Sequence, residues 1–281
     1  MNETLKRSIS GAVYIVLLIA SILYSTDSFF ILFGAFLIIA TFEFCNLVQI
    51  NKIIPVLLAA GCFSLFYMIS FAKEGLLFDL RFSKNFDLSV LFFTLFVFIK
   101  CIHFLFDNKA VKIDSFSKYV YLLGYIILPF IIITKIPFGK DGYNPKILIS
   151  IFILIWTNDT FAYIVGKSIG RTKLFERISP KKTIEGFFGG VVFAVVVSYV
   201  IAKYYIEIAE SNIYIWIIIA IIVGFFGTVG DLIESKFKRV AGVKDSGKIM
   251  PGHGGVLDRL DSVIFVAPIV FLFYQILNYV S

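Results

Sequence analysis

Near the C-terminal end, Gly230-Asp231-Leu232-Ile233-Glu234-Ser235 leads through a basic stretch to His253-Gly254-Gly255-Val256-Leu257-Asp258-Arg259-Leu260-Asp261, with strongly apolar segments on both sides. Ionisable groups beside hydrocarbon are expensive unless paired or hydrated, so this concentration of acids and bases needs a chemical purpose. Asp231 closes an apolar stretch four residues before Ser235, a helical spacing at which the two side chains converge. Asp258 and Asp261 are three apart and share a helix face at the start of the next apolar run. Carboxylates meeting from two helix ends are hard oxygen ligands suited to Mg²⁺. Lys236, Lys238 and Arg239 add positive charge directly after Asp231. Gly252, Gly254 and Gly255 flank His253 and let backbone approach a phosphate closely, ahead of a helix N-terminus. The pattern predicts a metal ion and a multiply charged anion brought together beside lipid. A solvated loop with surface ion pairs is the alternative; two acids flanking a Gly-Gly turn at a membrane boundary count against it.

A second cluster lies upstream. Asn158, Asp159 and Thr160 interrupt an apolar helix, and Asp159 shares a face with Tyr163 four residues on. Ser179-Pro180-Lys181-Lys182-Thr183 reads as a turn before an apolar helix. It offers N–H groups, a hydroxyl and positive charge to an anion, or serves only as a positively charged loop with a helix cap. Residues 242–249 nearly spell a phosphate-binding P-loop, but they lack the Ser or Thr that would ligate Mg²⁺ and follow no strand. Glu43 is an acid near the end of an apolar segment, a functional suspect unless it snorkels or pairs with a lysine. Cys45, Cys62 and Cys101 form no metal spacing and read as packing residues. His103, at a span end, reads as an interfacial cap.

The elements that must position these groups are membrane helices. The chain of 281 residues is 59% hydrophobic and 16% charged, with a mean hydropathy of +0.92. Soluble chains have about 45–50% apolar and about 25% charged residues. Nine apolar segments are long enough to be candidate spans: about 9–25, 29–48, 54–72, 88–106, 120–136, 147–166, 187–205, 213–232 and 262–280. Period-2 alternation is absent, so the fold class expected is an all-α polytopic integral membrane protein. The first segment reads as a span rather than a cleavable signal peptide. With nine spans, 19 of the 26 Lys and Arg fall on one side. That side, holding the N-terminus and loops 167–186 and 233–261, is predicted cytoplasmic. Two regions result: residues 1–146, whose loops at 73–87 and 107–118 are generically polar, and residues 147–281, which carry the chemistry. No soluble basic domain exists to bind nucleic acid.

These motifs resemble the phosphatidate cytidylyltransferases, or CDP-diacylglycerol synthases. The match comprises Gly230-Asp231-Leu232-x-Glu234-Ser235, Ser235-x-x-Lys238-Arg239, Lys244-Asp245-Ser246-Gly247 and His253-Gly254-Gly255-x-x-Asp258-Arg259-x-Asp261. Asp159-x-x-Ala162-Tyr163-x-x-Gly166-Lys167 and Ser179-Pro180-x-Lys182-Thr183 match as well, with Ile184 where the family often has Trp. The resemblance covers residues 156–262.

What the resemblance implies is a Mg²⁺-dependent reaction of CTP with phosphatidate, giving CDP-diacylglycerol and pyrophosphate, in a homodimer embedded in the bilayer. On that reading Asp231 and Asp258 hold Mg²⁺, with Ser235 and Asp261 as ligands or their supports and room for a second cation. Lys238, Arg239, Lys244 and Arg259 hold phosphates. Ser179, Lys182 and Thr183 bind CTP or the lipid headgroup, Asp159 completes the site, and Gly254 and Gly255 line it. His253 is either a headgroup ligand or a turn-stabilising hydrogen bonder. A bacterial plasma membrane, with the site facing the cytoplasm, is the expected location. The rivals are a CTP-dependent polyprenol or lipid kinase, a phosphosugar transferase acting on polyprenyl phosphate, and a transporter. A transporter's acids would lie near the membrane midplane, whereas these cluster at one face.

Overall fold

The computed structural model describes residues 3–71, 84–107, 113–139, 142–207 and 209–280. Among them, nine long helices follow the nine apolar segments: α1 Glu3–Tyr24, α2 Thr26–Val48, α3 Ile53–Phe71, α4 Lys84–Phe106, α5 Ser115–Lys135, α6 Pro145–Ile169, α7 Ile184–Tyr205, α8 Ile213–Val240 and α9 Leu257–Val280. Seven are long and apolar enough to cross a membrane. The apolar stretches of α1 and α3, Ser8–Tyr24 and Ile53–Met68, are shorter. The architecture is that of an all-α polytopic membrane protein. The polar stretch expected at 73–87 lies mostly outside the described residues, as do residues 108–112.

Local chemistry explains several helix starts. Ser25 caps α2 in a reciprocal arrangement with Ser28, which satisfies N–H groups that a helix leaves open. Asn144 accepts from Lys146 N at the start of α6, where Pro145 takes the first turn and its missing N–H costs nothing. Thr183 Oγ1 accepts from Gly186 N at 3.1 Å and caps α7. Two helices widen into π turns, at Leu122–Ile127 in α5 and Ile201–Tyr205 in α7. On α7, Phe188, Val192, Val196 and Tyr199 form an exposed stripe, as do Phe92, Phe96 and Ile99 on α4. Apolar faces of this kind suit lipid rather than water.

The structure adds two antiparallel hairpins to the helical plan: β1 Phe138–Gly139 with β2 Gly142–Tyr143, and β3 Lys173–Phe175 with β4 Ser179–Thr183. The segment expected as a Ser-Pro turn is therefore a strand. Pro180 lies in a two-stranded ribbon, where a strand edge tolerates a missing N–H, and Lys173 Nζ donates to its carbonyl at 2.8 Å.

The chain forms two compact units. The first comprises Met1–Lys135 and Val240–Leu260; its core gathers Phe29, Phe33, Phe44, Tyr125 and Phe130. The second comprises Ile136–Arg239 and Asp261–Ser281. In it, α6 and α7 pack closely: a Cβ on Gly186 would lie 2.6 Å from the Ala162 carbonyl oxygen, and Phe161 stacks on Phe193 with centroids 3.8 Å apart.

Candidate active site

Within the second unit, one close helix crossing assembles the predicted acids. A Cβ on Gly230 would lie 2.7 Å from the Asp261 carbonyl oxygen and 2.8 Å from Phe265 Cβ, so α8 approaches α9 with no side chain between them. Asp231, the next residue, thereby lies within electrostatic reach of Asp261. Ser262 Oγ ties the same crossing by donating to the Gly227 carbonyl at 3.3 Å. Ser235 Oγ donates to Asp231 Oδ1 at 3.2 Å, the convergence that the four-residue spacing predicts.

Lys182, on β4, forms an ion pair with Asp231 at 2.5 Å; their side chains are 27% and 34% exposed. Burial pushes the Lys182 ammonium down. The carboxylates of Asp231, then Asp159 and Asp261, outweigh that effect and hold it above the ordinary lysine range. Asp159, from α6, is exposed beside the buried Asn158, whose amide donates to it at 3.3 Å. Asp231, Ser235, Asp261, Asp159 and Lys182 are thus brought together. Lys238 is paired with the fully buried Glu234 one helical turn back. Arg239 is exposed, its Nε donating to the Ile178 carbonyl at 3.4 Å. Ser179 is half-buried on β4, and Thr183 is buried with its hydroxyl on the α7 cap. Tyr163 is exposed, with Lys167 Nζ 5.7 Å from its ring.

Within the first unit, the Gly-rich loop is bonded to helices of the N-terminal half. Asp258 Oδ2 accepts from Ser246 N and Ser246 Oγ, each at 2.9 Å, and from Gly255 N at 2.6 Å. Gly252 and Gly254 adopt left-handed φ of 78° and 89°, conformations that suit glycine. His253 Nδ1 lies 2.7 Å from Ser10 Oγ, and that hydroxyl donates to the Pro251 carbonyl at 2.9 Å. The contact ties His253 to α1. Arg259 donates to the His253 carbonyl at 2.9 Å, and Lys244 is exposed on the loop.

Sequence reasoning gave no role to Ser246 or Ser10, whose partners Glu43 and His253 lie 203 and 243 residues away along the chain. It flagged Glu43, but neither snorkelling nor a lysine partner describes that residue. Glu43 is 2% exposed and accepts hydrogen bonds from Val256 N and Leu257 N, while Ser246 Oγ, 3.2 Å from Glu43 Oε2, shares its one hydrogen between Glu43 and Asp258. Cys45 and Cys101 are buried and Cys62 is half-buried, without a disulfide. Among the described residues, no three His, Cys, Asp or Glu side chains form a ready-made metal cage.

Residues 5–277 match the sequence profile of the cytidylyltransferase family. The chain belongs to that family. Among its relatives, a phosphatidate cytidylyltransferase of Staphylococcus epidermidis is 49% identical over 119 residues, 42% of this chain and 45% of the relative. A Staphylococcus saprophyticus protein of the same name is 50% identical over 121 residues, with the same shares of each chain. One from Staphylococcus aureus is 49% identical over 119 residues. The chain spans just under half the length of the curated relatives it matches. Its match to the family, by contrast, takes in α1 and α2, including Ser10 and Glu43, as well as Asp231 on α8 and the acidic start of α9.

Proposed function

We propose that this chain transfers the cytidylyl group of CTP to phosphatidate, yielding CDP-diacylglycerol and pyrophosphate at the cytoplasmic face of a bacterial plasma membrane. The observation that carries the reading is Asp231, Asp261 and Asp159, from three membrane-length helices, gathered around Lys182, in a member of the cytidylyltransferase family.

The charge balance supports a cation. Three carboxylates surround Lys182, while Lys238 is held by Glu234. Alone, this cluster would repel a triphosphate. Mg²⁺ usually keeps several waters and takes one or two carboxylates plus substrate phosphates, rather than an all-protein cage. The donor set present here fits that habit. Asp231 and Asp261 would hold the ion with Ser235 in support, and Asp258, three residues before Asp261 on α9, is proposed as a further ligand. When bound, Mg²⁺ would offset the repulsion between the two phosphates and stabilise the leaving pyrophosphate.

Phosphatidate brings its own anionic oxygen, so the protein needs no strong general base. That oxygen forms a bond to the α-phosphorus of CTP. The bond from the α-phosphorus to the bridging oxygen breaks, and pyrophosphate departs with the electron pair. Lys182, Arg239, Lys244 and Arg259 would orient the phosphates, with Lys238 joining them on release from Glu234, and Ser179 and Thr183 would meet CTP or the headgroup. The acyl chains need only lie between apolar helices.

The test uses purified protein with phosphatidate, Mg²⁺ and CTP labelled at either the α- or the γ-phosphate. The α-label is expected in the lipid product, and Asp231→Ala and Asp258→Ala are expected to abolish its formation. A γ-label in the lipid would mean a kinase, and near-normal turnover in both variants would overturn the site assignment.

A further inference from the structure

Glu43 lies on α2 with 2% of its surface exposed. An acid buried so completely requires matching donors, and those it has come from the other end of the chain. Its Oε1 accepts from Val256 N at 3.1 Å and its Oε2 from Leu257 N at 2.8 Å. These N–H groups open α9, where a helix leaves donors unsatisfied and its dipole favours a carboxylate. Ser246 Oγ stands between two acids, 3.2 Å from Glu43 Oε2 and 2.9 Å from Asp258 Oδ2. The network has little slack: a Cβ on Gly255 would collide with Ser246 Oγ and both Glu43 oxygens, and one on Gly247 with the Glu43 carboxyl group.

We propose that Glu43 is a positioning residue for the transferase reaction: it pins the Gly-rich loop and the first turn of α9, and so fixes the direction of Asp258. The proposal rests on the reading of Asp258 as part of the catalytic site. Glu43 acts through Ser246 and the backbone of Val256 and Leu257, and touches no reacting atom. Both carboxylate oxygens are needed, because the two backbone N–H groups use different ones. Glu43→Gln would aim an amide N–H at a backbone N–H, whereas Glu43→Asp keeps both oxygens on a shorter arm.

The test compares wild-type protein with Glu43→Gln, Glu43→Asp and Ser246→Ala in lipid nanodiscs. One measurement is CTP and phosphatidate kinetics; the other is amide hydrogen exchange followed by mass spectrometry. Glu43→Gln is expected to lower kcat by about 10–100-fold, the usual effect of losing a group that orients a ligand, with KM for CTP little changed. Amides of 246–257 should exchange faster while α2 and α8 keep their protection, and Glu43→Asp should restore part of both properties. Unchanged exchange over 246–257, retained kcat, or a rise in KM alone would overturn the proposal. If Glu43→Gln fails to fold, Ser246→Ala decides: faster loop exchange with a smaller fall in kcat supports the clamp, and no change in either refutes it. A wild-type protein that forms no CDP-diacylglycerol would remove the proposed function, while the exchange measurement would still report whether Glu43 holds the loop.

Discussion

At the scale of single residues, the Lys182–Asp231 pair sets the electrostatics of the second unit. Its members are about one-third exposed, so its worth falls between that of an exposed pair, about 0.2–1 kcal/mol, and the loss of about 3–5 kcal/mol when a buried pair is broken. Lys182→Met should therefore lower the thermal midpoint in detergent. The pH dependence has a definite sign. Because the folded protein holds Lys182 above the ordinary lysine range, its contribution is fully present below the unfolded value of about 10.4 and is lost as pH rises through the raised folded one. The midpoint gap between wild type and Lys182→Met should stay constant between about pH 7 and 9 and narrow only in stronger alkali. A gap that closes near neutrality would show that another group governs the pair. Asp231, Ser235 and Lys182 were legible because a helical period or a short motif marks each. The role of Glu43 was not, since its donors arise from folding across more than 200 residues and no local pattern encodes such a partner.

At the scale of elements, glycines decide how closely the site-bearing helices meet. Gly230 faces a carbonyl oxygen and a Cβ atom of α9, neither of which can swing aside as the end of a flexible side chain can. Gly230→Ala should force α8 from α9, costing about 1–3 kcal/mol as overpacking does, and should reduce turnover by separating Asp231 from Asp261. Gly61 on α3 is a useful contrast, because a Cβ there meets nothing within 4 Å. Gly61→Ala should be neutral or stabilise by up to about 1 kcal/mol, reflecting helix propensity alone. Thermal midpoints and α-labelled CTP turnover for the two variants would check the contrast; equal effects would place the cost in the backbone rather than in the crossing. Helix positions followed from hydropathy, but their ends did not. The 28-residue α8 runs past the apolar span into Glu234, Lys236 and Lys238, where burial and the Glu234–Lys238 pair replace hydrophobicity as the reason to stay helical. The β3–β4 hairpin escaped notice because a strand is defined by its pairing partner, and Ser179-Pro180 looks locally like a turn.

At the scale of the whole molecule, the open quantity is how many helices cross the bilayer. A hydrocarbon core of about 30 Å needs about 20 helical residues at 1.5 Å each. Seven helices meet that demand by length and composition. The 19 residues of α3 reach about 28 Å, close enough for flanking residues or a slightly thinned bilayer to make up the difference. Counting all nine segments puts 19 of the 26 Lys and Arg on one side, and leaving out α1 and α3 together still puts 18 there, so the charge distribution fits both arrangements and α3 is the element to test. Span counting then puts position 52 inside and position 78 outside, while positions 177 and 248 are inside together. The sharing of a side by 177 and 248 depends only on α7 and α8, both of membrane length. Single cysteines at these four positions, in a background lacking Cys45, Cys62 and Cys101, should separate the possibilities when treated with a membrane-impermeant thiol reagent. Labelling of position 78 from outside intact cells, with 52, 177 and 248 reached only in inverted vesicles, is the expected result. Labelling of 52 and 78 from the same face would mean that α3 does not cross, and labelling of 177 from outside would remove the cytoplasmic supply of CTP on which the proposed reaction depends.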